Sequence, residues 1–89
     1  MIKKQTSVIN KLGLHARASS QLVQLASKFI SDISIEKDGK LANAKSIMTI
    51  MMLAANKGST ITIMANGEDE VVAIEQISEL FANKFGELE

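Results

Sequence analysis

Apolar residues in this chain change their spacing at Gly13. Before it, residues 3–10 read as a strand, with Thr6 and Val8 on one face and β-branched residues filling most of its second half. After it, Ala18, Leu22, Leu25, Ala26 and Phe29 fall at i, i+4, i+7, i+8 and i+11, the apolar stripe of a helix that starts near Ala16. Arg17, Ser20, Gln21, Gln24 and Lys28 take the opposite side. Residues 32–37 return to alternation, with Ile33 and Ile35 inward and Ser34 and Glu36 outward. The Asp38-Gly39 turn predicts a short hairpin partner at 40–43.

The second half repeats the switch. Residues 47–55 are apolar almost throughout, with Ser46 placed as their helix N-cap and Lys57-Gly58 as a closing cation and glycine. Residues 59–65 form the last strand, with Ile61, Ile63 and Ala65 on one face, and Asn66-Gly67 turns the chain. Glu68, Asp69 and Glu70 load acid onto the start of a final helix. Val71, Ile74, Ile77, Phe81 and Phe85 supply its stripe, and Gly86 ends it. The order βαββαβα, with one hairpin and polar outer strand faces, predicts an α+β fold. Its sheet is mostly antiparallel with helices on one face. No linker, repeat or low-complexity segment divides the chain, so residues 1–89 are expected to form one small domain. A domain of this size buries roughly 60–65% of its unfolded surface, and the 46% apolar content is enough for that modest core.

Composition removes several function classes. Ten acidic residues balance ten basic ones, which argues against sequence-independent nucleic-acid binding. The three aromatics, all Phe, are not interleaved with basic residues, so no base-stacking platform is expected. Without cysteine there is neither a disulfide nor a thiolate site, and with one histidine no ordinary zinc site; no metal or cofactor is expected. The N-terminus has no h-region, and no apolar run reaches membrane-span length. A cytoplasmic protein without membrane insertion is therefore expected.

His15 is the only histidine. It stands where the first helix begins, beside unpaired N–H groups and the positive end of the helix dipole. A neutral imidazole nitrogen is a competent nucleophile toward a phosphoryl group. The product carries about two negative charges, which the N–H groups of Ala16, Arg17 and Ala18 can meet. Arg17 adds charge-assisted hydrogen bonds, and Gly13 permits a backbone conformation that aims the ring. A lone histidine in such a place is more often a helix cap or a solvated loop residue. Phosphohistidine is the leading functional alternative.

The heptapeptide Gly13-Leu14-His15-Ala16-Arg17-Ala18-Ser19 resembles the active-site motif of the HPr family, the histidine-containing phosphocarriers of the bacterial phosphoenolpyruvate-dependent sugar phosphotransferase system. Residues 45–55, beginning Lys45-Ser46-Ile47-Met48, resemble the family's regulatory-serine segment. Gly67-Glu68-Asp69-Glu70 resembles the start of its last helix. The resemblance implies a two-layer open-faced β-sandwich, a four-stranded antiparallel sheet of order 1-4-2-3 under three helices. It implies that phospho-enzyme I delivers phosphate to Nδ1 of His15, which donates it to IIA proteins, with Arg17 as the active-site arginine. It also implies that HPr kinase/phosphorylase can act on Ser46. One departure is Ala18, where the family most often has proline, a residue suited to a first helical turn.

The helix after Ser46 is apolar all round, so part of it must expose a patch. Ile50 and Leu53 are expected in the core. Ile47, Met48 and Met51 are expected outward near His15, with Ser20, Gln21 and Gln24 as a polar side of one docking face. Flexible methionines suit a surface that accepts several partners in turn. A monomer fits such a shuttle, which is a carrier and not a turnover enzyme. Two other readings stay open: the nitrogen-related branch of the same system, against which the Ser46 segment weighs, and a small α/β interaction module with no phosphotransfer. A hydrolase is weakly supported, because Glu68-Asp69-Glu70 is already explained by its position.

Overall fold

The computed structural model describes residues 1–89. Four strands, β1 (Ile2–Ser7), β2 (Asp32–Lys37), β3 (Lys40–Asn43) and β4 (Thr60–Asn66), alternate with three helices, α1 (Ala16–Ala26), α2 (Ile47–Met52) and α3 (Glu70–Ala82). The strands form one antiparallel sheet in the order β1-β4-β2-β3, the 1-4-2-3 arrangement that the resemblance implied. Register puts Ile33 opposite Ala65, and Ile35 opposite both Ile63 and Ala42. That inner face, with Ile61, is buried under Ala18, Leu22 and Ala26 of α1 and Ala73, Ile77 and Phe81 of α3. The other face carries Gln5, Ser34, Glu36 and Thr62, a polar surface that meets water.

Three features depart from their sequence patterns. The first strand stops at Ser7, although Val8 still exchanges hydrogen bonds with Ser59 and Gly58 at 2.9 and 2.8 Å. The second helix stops at Met52, well before Gly58. Ala54 enters the left-handed region (φ 52°), and its carbonyl and that of Leu53 each accept from Lys37 Nζ at 3.1 Å. The cation that closes this helix is thus Lys37, from β2, and not Lys57. The third departure is Val71, which is exposed, while Ala73 takes the buried place beside Ile74. Beyond α3, the 3₁₀ turn Lys84–Gly86 reverses the chain through three left-handed residues and buries Phe85 edge-on to Phe81, ring centres 4.9 Å apart.

Asp69 has a role that the dipole argument did not anticipate. It occupies the N-cap position of α3 but makes no cap bond there. Its carboxylate accepts from the backbone N–H groups of Ile30 and Ser31, each at 3.0 Å, and from the Ser31 hydroxyl. This clamps the α1–β2 connection to the β4–α3 turn. The Ser31 hydroxyl above all, opposed by partial desolvation and helped by the two N–H donors, holds the Asp69 carboxyl below the usual aspartate range. The unfolded chain therefore binds this proton more readily than the folded one. Stability is complete above the usual aspartate range and is lost as pH falls through the lowered folded value. Asp69→Asn is expected to be less stable at neutral pH and to lose less stability than the parent on acidification, read from urea midpoints across pH 7 to pH 3. Equal pH dependence in the two proteins would rule the clamp out as an acid-sensitive element.

Candidate functional site

The loop from β1 to α1 is pinned at each end of His15. Asn10 is fully buried, and its Nδ2 donates to the Gly13 carbonyl at 2.8 Å while the Gly13 N–H donates back to the Asn10 carbonyl at 3.2 Å. Gly13 sits at φ +68°, and a Cβ there would lie 2.5 Å from the Ala55 carbonyl oxygen and 2.8 Å from Asn56 Cα. Only glycine fits both the conformation and the space. The next residue, Leu14, is buried and donates its N–H to that same Ala55 carbonyl at 2.8 Å, and Ser19 Oγ donates to the Leu14 carbonyl at 3.0 Å.

His15 is the N-cap residue of α1, with extended backbone (φ −74°, ψ 179°) and no side-chain cap bond. Capping by the ring, the bland alternative for this residue, is absent. The imidazole instead places Nε2 2.6 Å from Glu87 Oε2, and Nδ1 makes no hydrogen bond. The N–H groups of Ala16, Arg17 and Ala18 find no acceptor within the protein, as expected for the first turn of a helix. Ala18 buries its methyl in the core, so the usual proline site is filled by a side chain that leaves its N–H available. Arg17 is exposed, forms no ion pair, and lines the same open groove of about 630 Å³ as His15, Lys11, Glu87 and Glu89.

Glu87, Asn10, Lys11 and Glu89 were not legible as site residues. Asn10 Nδ2 donates to Glu87 Oε1 at 3.1 Å, and Lys11 binds Glu89 through its backbone N–H (2.7 Å to the carbonyl) and through Nζ (3.3 Å to Oε2). The His15 hydrogen bond first and the Asn10 bond second hold Glu87 below the usual glutamate range. Partial desolvation opposes them, and the charges of His15 and Arg17 add to the lowering. The only sequence sign of this arrangement is a carboxylate following a helix-ending glycine. The 72-residue separation hid its partner.

Ser46 stands at the N-cap of α2, as expected, but its side chain makes no cap bond. Thr49 Oγ1 satisfies the local carbonyls instead, donating to Asn43 and Ser46 at 2.9 and 3.0 Å. Ile50 and Leu53 are buried, and Ile47, Met48 and Met51 are exposed, as is Met52. On α1, Gln24 is exposed and donates to the Ser20 hydroxyl at 3.3 Å, while Ser20 and Gln21 are half-buried. α1 and α2 pack against each other, and the Leu14–Ala55 bond ties the His15 loop to the chain just past α2. No three His, Asp or Glu side chains converge as metal ligands.

The PTS-HPr family, described as the PTS HPr component phosphorylation site, matches residues 2–83. The chain belongs to the HPr family. It is 51% identical over 87 residues to the phosphocarrier protein HPr of Cupriavidus necator, covering 98% of each chain. HPr-C-His from Thermoanaerobacter tengcongensis superposes with a TM-score of 0.97 over the full length of both chains at 46% identity. An HPr dimer from the same organism gives 0.79 at 47% identity, over 98% of this chain and 100% of that one. The chain is thus an HPr-type phosphocarrier of the phosphotransferase system. None of its helices is long and apolar enough to cross a membrane.

Proposed function

We propose that this HPr-family chain accepts a phosphoryl group from phospho-enzyme I on Nδ1 of His15 and passes it to IIA proteins. The observation that carries this reading is the state of the imidazole: Nε2 is engaged by Glu87 while Nδ1 stays unbonded at the start of a helix with three free N–H groups. Attack by Nδ1 brings a charged phosphate to the positive end of α1, where the amides of Ala16, Arg17 and Ala18 and the Arg17 guanidinium stabilise it. Catalysis of this kind is positioning and charge stabilisation, with the rest of the machinery supplied by the partner. Exposed Ile47, Met48 and Met51 form the apolar part of the docking face, and Ser20, Gln21 and Gln24 its polar part.

Ser46 is the regulatory position. Its hydroxyl has no hydrogen bond within the protein, which leaves it free for HPr kinase/phosphorylase. A phosphate there adds charge beside the docking face and changes what a partner meets. The chain works as one domain, a cytoplasmic monomer that leaves each partner after transfer.

Incubation with labelled phosphoenolpyruvate and enzyme I tests the reading. An acid-labile, base-stable phosphate on this protein is expected, transferable to a IIA acceptor. A protein that takes no label under conditions that charge enzyme I would overturn it.

A further inference from the structure

The contact between His15 and the C-terminal segment does more than occupy a nitrogen. An ionised carboxylate only accepts hydrogen bonds, so Nε2 must be the donor at 2.6 Å. A neutral ring with its proton on Nε2 has its lone pair on Nδ1. We infer that Glu87 is a positioning residue that selects this tautomer and so presents Nδ1 as the nucleophile. The inference rests on the phosphocarrier reading and deepens it.

Glu87 is built for the role. Its side chain is only 17% exposed and that of His15 27%, so the pair is not a fully solvated surface contact of negligible effect. Both carboxylate oxygens are assigned: Oε2 to the ring, Oε1 to the fully buried Asn10. The segment before it is anchored by Phe85 in the core and turned by Gly86 (φ +77°). The segment after it is held by Lys11, through the backbone and the ion pair to Glu89. Asn10 thus links two things in one side chain, since the same Nδ2 that binds Glu87 also braces the Gly13 carbonyl that sets the loop.

The pair also answers the charge balance of transfer. As the Nδ1–P bond forms, the bond from phosphorus to the donor breaks and its electron pair leaves with the donor. The ring keeps its Nε2 proton, so it becomes positively charged while the phosphoryl group carries negative charge. Glu87 faces that developing positive charge across the Nε2–H bond, as the orienting acid does in a triad. Arg17 and the helix amides face the phosphate on the other side of the ring.

The decisive measurement is the tautomer of His15, read from ring ¹⁵N shifts of the full-length protein at about pH 8.5, above the ordinary imidazole range. It requires no phosphoryl donor, so it can fail while phosphotransfer succeeds, and the reverse. The parent is expected to show the Nε2–H form. In Glu87→Ala, the Nδ1–H form is expected to rise severalfold, with kcat for phosphoryl acceptance from enzyme I down about tenfold, by analogy with the lower end of the loss when the carboxylate behind a metal-bound imidazole is removed. Glu87→Gln keeps an acceptor oxygen without the charge. It is expected to retain the Nε2–H form and to lose about threefold in kcat, between the other two. The proposal is overturned if the parent carries its proton on Nδ1, if a folded Glu87→Ala has an unchanged tautomer ratio, or if its loss lies in KM alone.

Discussion

His15→Ala is expected to take no phosphate from phospho-enzyme I while keeping its fold. Loss of the imidazole removes the one nucleophilic ring at the start of α1. The neighbouring hydroxyl of Ser19 is fully buried and donates to the Leu14 carbonyl, so it offers no substitute. The free amides of Ala16, Arg17 and Ala18 remain, but they stabilise a phosphate and cannot form a bond to it. Stability should change little. Glu87 keeps its bond from Asn10 and the field of Arg17, and the lost contact lies in the open groove that both side chains line, outside the apolar core. An effect of about 1 kcal/mol or less follows for a partly exposed pair. Label retained in a folded His15→Ala protein would place the acceptor elsewhere. A protein that loses both label and cooperative unfolding would contradict the separation of site from core.

Gly13→Ala is expected to damage both fold and site. A non-glycine residue held at φ +68° costs about 1–3 kcal/mol, and the new methyl would meet the Ala55 carbonyl oxygen at 2.5 Å. That oxygen cannot retreat cheaply, because it accepts the Leu14 N–H at 2.8 Å. The two costs together predict a loss of about 2–4 kcal/mol, a large share of the roughly 4–13 kcal/mol expected for a chain this long. Urea unfolding measures it directly. The loop relieves the clash by moving away from Ala55, and His15 moves with it. A displacement of about 1 Å in reacting groups can cost about a hundredfold in rate, so phosphoryl acceptance by the folded fraction should fall at least about tenfold. An unchanged urea midpoint would show that the loop yields freely. Unchanged acceptance would show that its conformation does not aim the ring.

These two positions show how differently local and distant information is written in the chain. Gly13, His15 and Arg17 lie within five consecutive residues, and the change of apolar period around them marks a helix start. The strands β2 and β4 were equally legible, because Ile33, Ile35, Ile61 and Ile63 alternate with residues on the outward face, and the Asp38-Gly39 turn marked β3. Helix ends were less legible. α2 ends at Met52, Ala54 turns into the left-handed region, and a lysine from β2 binds the Leu53 and Ala54 carbonyls just past the helix; no local glycine signals that. Likewise Ser46 was expected to cap with its hydroxyl, and Thr49 meets the nearby carbonyls instead.

The sequence by itself determined the alternation of elements, the inward faces of the central strands and the placement of one histidine at a helix start. Those features depend on period, turn chemistry and neighbours within a few residues, all of which a linear pattern carries. Tertiary structure alone decided what the histidine touches. The reversal at Lys84–Gly86 brings Glu87 back to His15, 72 positions away, and Asn10 and Lys11 hold the returning segment there. Which ring nitrogen carries the proton is therefore a property of chain packing, because it is set by an acceptor that only the closed fold delivers.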